Sequence, residues 1–429
     1  MPLPTAPKPW SFYRLGPAKE KEIFKRHRDT YDGVVVPAHI ASYYYAFCSE
    51  FIGSLGKPYI IDPMTYIFAN DPTQLKKFLK DKKTGRSKRD GLGRKKKGDV
   101  KRSYMKLIEE HYQGPIKAAV DADRRLEPAD FKDITAMRNF VQNVLDFQKT
   151  RLSAVPSKYK KYEKYAKKVG MPTGTIGNPP MCLVAPYFPT TSLHSRSWRS
   201  TNLQLIMQAK ALAGNLPVFA VILATPQILA QHLNEITEDY LSTEADGFLF
   251  WPDGFSGDQA PAALDIVYRI VAKLSGSGKP VILLYGDAFS LVLHYAGLSG
   301  FACGICYGEH KLSTQDLDVE GEIPPRYYLR RLKKKVVIET EVRRINIGKH
   351  PDLTCNCNIC SRKKDPATLN DIESREHFML VRAAEIAELR DGLSQADFTR
   401  KLIEAYNEHK NDPLFHPLSH LGNWANLLK

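Results

Sequence analysis

The sequence predicts an α/β fold, a (β/α)8 TIM barrel, from three observations. Short apolar runs rich in β-branched and aromatic residues recur along the 429 residues. Amphipathic helical patterns separate the later runs. Strand and helix alternate at roughly 30-residue spacing, which implies parallel strands joined by crossover helices.

The strand candidates are GVVVPAHI (33–40), PYIIDP (58–63), MCLVAPYF (181–188), PVFAVIL (217–223), GFLFWP (247–252), PVILLYG (280–286) and FACGICYG (301–308). Between them, TPQILAQHLNEITEDYL (225–241) reads as a helix, with Thr225 as N-cap and Pro226 at the first helical position. PAALDIVYRIVAKL (261–274) repeats the helical period through Leu264, Val267, Val271 and Leu274. These runs, with an eighth expected within 100–150, suit a barrel. An open doubly wound sheet is the alternative, but no GxGxxG follows a strand.

The expected organisation is an N-terminal extension (1–32) followed by the barrel (33–429). A basic insertion falls at about 76–106, a helical insertion at about 107–175 and a cysteine-bearing segment at about 320–380. The formal net charge is +15, which favours a polyanionic partner, nucleic acid before an anionic membrane surface. No apolar run approaches the roughly 20 residues that span a bilayer. The N-terminus lacks a charged-then-apolar leader, so a cytoplasmic protein with reduced thiols is expected.

Cys355, Cys357 and Cys360 stand as C-x-C-x-x-C, three of the seven cysteines within six residues. In a reducing compartment such a cluster points to a metal. A tetrahedral zinc site needs four nitrogen or sulfur ligands. His377, opening the helical HFMLVRAAEIAEL (377–389), is the preferred fourth; His350 is nearer but precedes the cluster in a basic stretch. Four protein ligands leave no open position, so the expected zinc is structural. An unmetallated cluster is the alternative, with His377 an ordinary helix-cap histidine.

Reacting groups in barrel enzymes sit at the C-terminal ends of strands. Asp62, Asp253, Asp287 and Glu309 all follow apolar runs there. Each also suits a helix N-cap or a solvated loop, Asp287 most of all. Together they would polarise one pocket negatively within a basic protein.

Taken in order, YIIDPMTYIF (59–68), FLFWPDGF (248–255), YGDAFS (285–290), GLSGFACGICYGEHK (297–311), CNCNIC and HFMLVRAAE resemble the tRNA-guanine transglycosylase superfamily. The resemblance is closest to its DNA-acting branch and runs from about residue 33 to 389. It implies exchange of guanine in DNA for a 7-deazaguanine base, 7-cyano-7-deazaguanine the favoured one. A carboxylate would attack the sugar C1′, and the incoming base would then displace the enzyme, as in a retaining glycosidase with a base as second nucleophile. Asp62 matches the aspartate that assists base chemistry in the tRNA enzymes. Their nucleophilic aspartate lies on the last strand, where this chain has Ile305. Asp253 is the preferred replacement, with Glu309 and Asp287 after it. The DSGGFQ motif of the tRNA enzymes is replaced by DPMTYIF, which favours DNA.

On this reading Asp287, Tyr307 and Trp251 are expected to contact the base. Lys82, Lys83, Arg86, Lys88, Arg89, Arg94, Lys95, Lys96 and Lys97 would neutralise DNA phosphates, unless the loop is only a solvated surface. Arg326, Arg330 and Arg331 form a second candidate patch. A helper ATPase is a further expected partner, in a bacterial or virus-infected cell. The rivals are the same exchange on tRNA, a zinc protein that binds nucleic acid without chemistry, and a hydrolase that leaves an abasic site.

Overall fold

The computed structural model describes residues 7–16, 20–78, 97–153, 179–191, 197–305, 309–314, 324–345, 350–363, 365–415 and 417–429. Ten strands precede residue 304: β1 (Trp10–Arg14), β2 (Gly33–Pro37), β3 (Tyr59–Asp62), β4 (Lys76–Phe78), β5 (Lys97–Val100), β6 (Leu183–Val184), β7 (Val218–Ala224), β8 (Gly247–Pro252), β9 (Val281–Leu284) and β10 (Gly300–Cys303). All but β4 and β5 join one parallel eight-stranded sheet in the order β3-β2-β1-β10-β9-β8-β7-β6. The two ends of that order meet, since Met181 N–H, just before β6, donates to Tyr59 O on β3 at 2.8 Å. Each strand lies beside its successor in the sheet, with no reversal of order. That progression is a barrel and excludes the doubly wound sheet, which needs a switch point.

The eighth strand is β1, and it lies within the stretch expected to be an N-terminal extension. It pairs Trp10–Tyr13 with Gly300–Cys303 and Phe12–Arg14 with Gly33–Val35. The 100–150 stretch, where an eighth strand was expected, holds the helices Arg102–Glu110, Pro115–Asp121 and Ile134–Thr150 instead. Every residue of β2, β3, β7, β8, β9 and β10 is buried. Side chains fill the barrel on one face and helices cover the other, so these strands read as continuous apolar runs rather than alternating ones. Gly300 allows close approach, since a Cβ there would stand 2.8 Å from Trp10 O.

The helix Ile134–Thr150 packs on the shortest strand. Buried Gln148 bonds both ways with Val184, its Nε2 donating to the carbonyl and its Oε1 accepting the N–H, each at 2.8 Å. The ends of the basic insertion form an antiparallel β4–β5 pair; residues 79–96 lie outside the described residues. After the barrel come a hairpin, β11 (Arg326–Leu329) and β12 (Lys334–Val337), then the cysteine turn and the helix Asp371–Arg390. The helix Ser419–Leu427 docks on the loop after β8, where Trp424 Nε1 donates to Gly257 O at 2.6 Å. Among the described residues, no helix is long and apolar enough to cross a membrane.

Candidate functional site

The strand ends gather a buried polar centre at the C-terminal mouth of the barrel. Asp62, the last residue of β3, is 1% exposed. Its Oδ2 accepts from Arg14 Nη2 at 2.9 Å, and Arg14 is the last residue of β1. Its Oδ1 accepts from Tyr187 OH at 2.8 Å and from Met64 N–H at 3.0 Å. The guanidinium of Arg14 also lies 4.3 Å from the Tyr285 ring centroid. Tyr285 and Asp62 together raise the Arg14 pKa against the opposing effect of burial, so its charge is secure.

Asp253 follows β8 and is 8% exposed. Both its oxygens are engaged by one residue: Oδ1 accepts from Ser313 N–H at 2.5 Å and Oδ2 from Ser313 Oγ at 2.6 Å. Three further bonds fix this stretch of chain. Lys311 O accepts from Gly254 N–H at 2.9 Å and from Trp251 Nε1 at 3.2 Å, and Ser313 O accepts from Asn70 Nδ2 at 2.6 Å. Residues 309–314 thus form a strap between the ends of β8 and β3.

The strap delivers Lys311 into an aromatic cage. Its Nζ donates to Tyr66 OH at 2.7 Å and lies 5.3, 5.8 and 5.4 Å from the ring centroids of Tyr66, Trp251 and Tyr285. Burial and the nearby Arg14 charge pull its ammonium down to about 7, against Asp62 and Asp253, which favour the charged form.

Asp287 and Glu309 stand elsewhere. They line a 300 Å³ cavity with Arg326, Tyr328, Lys335 and Trp424, so the four acids do not share one pocket. Asp287 is a turn cap, its Oδ1 accepting from Phe289 N–H at 2.8 Å and its Oδ2 from Gly257 N–H at 2.6 Å. Burial raises its carboxyl to about 6 against those two bonds, with Glu309 adding to the rise. Glu309 pairs with Lys335 at 2.9 Å and Arg382 at 3.5 Å.

The cysteine cluster is assembled as expected. Ligand atoms of Cys355, Cys357, Cys360 and His377 all lie within 4.8 Å of one another. His377 Nδ1 stands 3.5 Å from Cys357 Sγ and 3.3 Å from Cys360 Sγ. A tetrahedron with ordinary Zn–S and Zn–N bonds separates sulfur from nitrogen by about 3.6 Å, so the four residues fit such an ion. His377 Nε2 lies 3.0 Å from Tyr328 O; donating to that carbonyl leaves Nδ1 free to ligate. Tyr327 stacks on the imidazole at 4.2 Å. His377 does not open its helix. The helix starts at Asp371, capped by reciprocal Asn370–Glu373 bonds, and places His377 in its second turn.

A charge network ties this cluster to the mouth. Tyr328 receives the imidazole on its carbonyl and donates its own OH to Glu385 at 3.2 Å. Glu385 also accepts from Lys333 at 2.6 Å and pairs at 3.2 Å with Arg382, whose side chain is fully buried. Arg382 reaches Glu309, the first residue of the strap.

Trp251 lies in the cage and Tyr307 outside the described residues. Of the expected phosphate contacts, Lys82, Lys83, Arg86, Lys88, Arg89, Arg94, Lys95 and Lys96 also lie outside them. Lys97 opens β5. Arg330 and Arg331 pair with Glu388 and Glu408. Sequence reasoning missed Arg14, Tyr66, Tyr187, Tyr285, Lys311 and Arg382. Tyr66, Tyr285, Lys311 and Arg382 stood inside quoted motifs, but nothing in their spacing marked them as neighbours.

No family model matches the chain, and no curated protein does. Among solved structures, one similar chain is TsXylA, an intracellular xylanase from Thermoanaerobacterium saccharolyticum JW/SL-YS485. It is 7% identical, with a TM-score of 0.36, over 73% of this chain and 89% of that one. A likeness that distant carries no argument about activity.

Proposed function

We propose that the protein is a DNA-guanine transglycosylase that exchanges guanine for a 7-deazaguanine base, 7-cyano-7-deazaguanine the favoured one, with zinc held structurally by Cys355, Cys357, Cys360 and His377. The observation that carries this reading is the Cys3His cluster assembled beside a parallel barrel, the combination that the sequence resemblance implies. Four protein ligands leave the zinc no open position, so its part is to hold the segment that braces the strap.

The chemistry falls to carboxylates at the mouth. Breaking a glycosidic bond with retention needs an attacking carboxylate and a group that handles the proton of the departing base. Asp253 is the nucleophile on this reading, once Ser313 releases it. Asp62, held by Arg14 and Tyr187, orients and assists the base. Arg14 supplies positive charge for an anionic substrate. A target nucleotide must leave its stack to reach groups this deeply set.

Trapping the covalent enzyme–DNA adduct by rapid denaturation and mapping it by mass spectrometry tests the assignment. The adduct is expected on Asp253. A label on Glu309 or Asp287 would overturn the choice of nucleophile. Alkali-labile strand breaks without adduct would make the protein a base hydrolase. Asp62→Ala and Asp253→Ala variants that keep full activity would leave only a nucleic-acid-binding role.

A further inference from the structure

We infer that Lys311 is an imine-forming lysine, whose amine attacks the carbonyl carbon of an aldehyde admitted to the barrel mouth. The inference stands on where the strap puts this side chain. Five hydrogen bonds hold the strap, three through Asn70, Trp251 Nε1 and Gly254 N–H and two from Ser313 to Asp253. The amine is therefore placed by rigid elements rather than by its own flexible stem. Its head is ringed by Tyr66, Trp251 and Tyr285, with Tyr66 OH at 2.7 Å. Lysine becomes a nucleophile when desolvated beside another cation, and Arg14 is that cation. The surroundings thus leave a substantial share of the amine neutral near pH 7. Residue 311 as a whole is partly exposed, while its amine sits among the three rings.

The neighbours suit the chemistry. The Nζ lone pair adds to the carbonyl carbon while the π pair moves to oxygen. That oxygen takes two protons and leaves as water, and Nζ gives up two protons as the C=N bond forms. Tyr66 OH, bonded to Nζ, is placed to relay them. Nη1 of Arg14 is buried with no hydrogen-bond partner among the described residues, which gives the centre a donor to spare for a substrate oxygen. No oxidant or reductant is needed. The substrate class is an aldehyde. The C1′ of a base-free deoxyribose is one such group, and that particular ligand rests on the base-exchange reading above.

Two arms test the inference. In the first, the metal-loaded protein is treated at pH 7 with limiting formaldehyde and cyanoborohydride, and methylated lysines are mapped. An ordinary lysine is neutral in fewer than about one molecule in a thousand at that pH. Lys311 is expected to label at least about tenfold faster than Lys117 or Lys279. Labelling no faster than theirs overturns the inference. In the second arm, an oligodeoxynucleotide carrying one abasic site is reduced onto the protein with borohydride. A crosslink mapping to Lys311, lost in Lys311→Arg, supports both the imine and the nucleic-acid reading. A crosslink at another lysine overturns the assignment. Fast methylation without any crosslink upholds the amine and counts against DNA as its substrate.

Discussion

The least negotiable residue at the mouth is Arg14, because it neutralises a carboxylate that water cannot reach. Asp62 is 1% exposed, and removing one partner of a buried pair costs about 3–5 kcal/mol because the survivor stays charged and alone. Arg14→Met should therefore lower the urea midpoint by a corresponding amount. Arg14→Met with Asp62→Asn should recover part of the loss, which a double-mutant cycle would read. Asp287 gives a pH signature instead. Its carboxyl is raised from 3.8 to about 6 in the fold, so its contribution to stability is complete below about 4 and is lost as pH rises through 6. Asp287→Asn should flatten the stability profile between pH 4 and 6, measured by thermal melts. A slope unchanged in that window would place the titration elsewhere.

Among the elements, the cysteine segment and the strap are coupled through Tyr328, Glu385, Arg382 and Glu309. Chelating the metal, or His377→Ala, should lower the melting temperature, because ligand binding is part of the folding free energy of such sites. It should also raise hydrogen exchange in residues 309–314; protection there that is indifferent to the metal would break the proposed link. The elements were legible in the sequence to unequal degrees. The strands from 181 onward were plain because helices bury their outer faces and leave uninterrupted apolar runs. β1 was not, since WSFYR carries a serine and an arginine and follows a proline-rich stretch. Its Ser11 is buried at 1%, and its Arg14 faces a partner 48 positions away, which composition cannot announce. The cluster of Cys355, Cys357, Cys360 and His377 was legible because local spacing carries most of that signal. The centre around Asp62 was not, because it draws on five strand ends and on a strap whose bonds are mostly to backbone.

At the scale of the whole molecule, the chain carries a formal net charge of +15, and Asp62 and Asp253, the buried acids of the mouth, are each ion-paired or hydrogen-bonded. On the proposed reading, such a charge would draw a polyanion toward the protein. Neutralising Lys95, Lys96 and Lys97 to glutamine should reduce the slope of log affinity for DNA against log salt by about 2–3, read by fluorescence anisotropy over a salt series. The base exchange itself is tested most directly with purified protein, duplex DNA or tRNA, and isotopically labelled 7-cyano-7-deazaguanine, followed by nucleoside mass spectrometry. The account predicts label in DNA, with one guanine released for each base inserted, and its loss in Asp62→Asn. Label confined to tRNA, or guanine released without insertion, would contradict it.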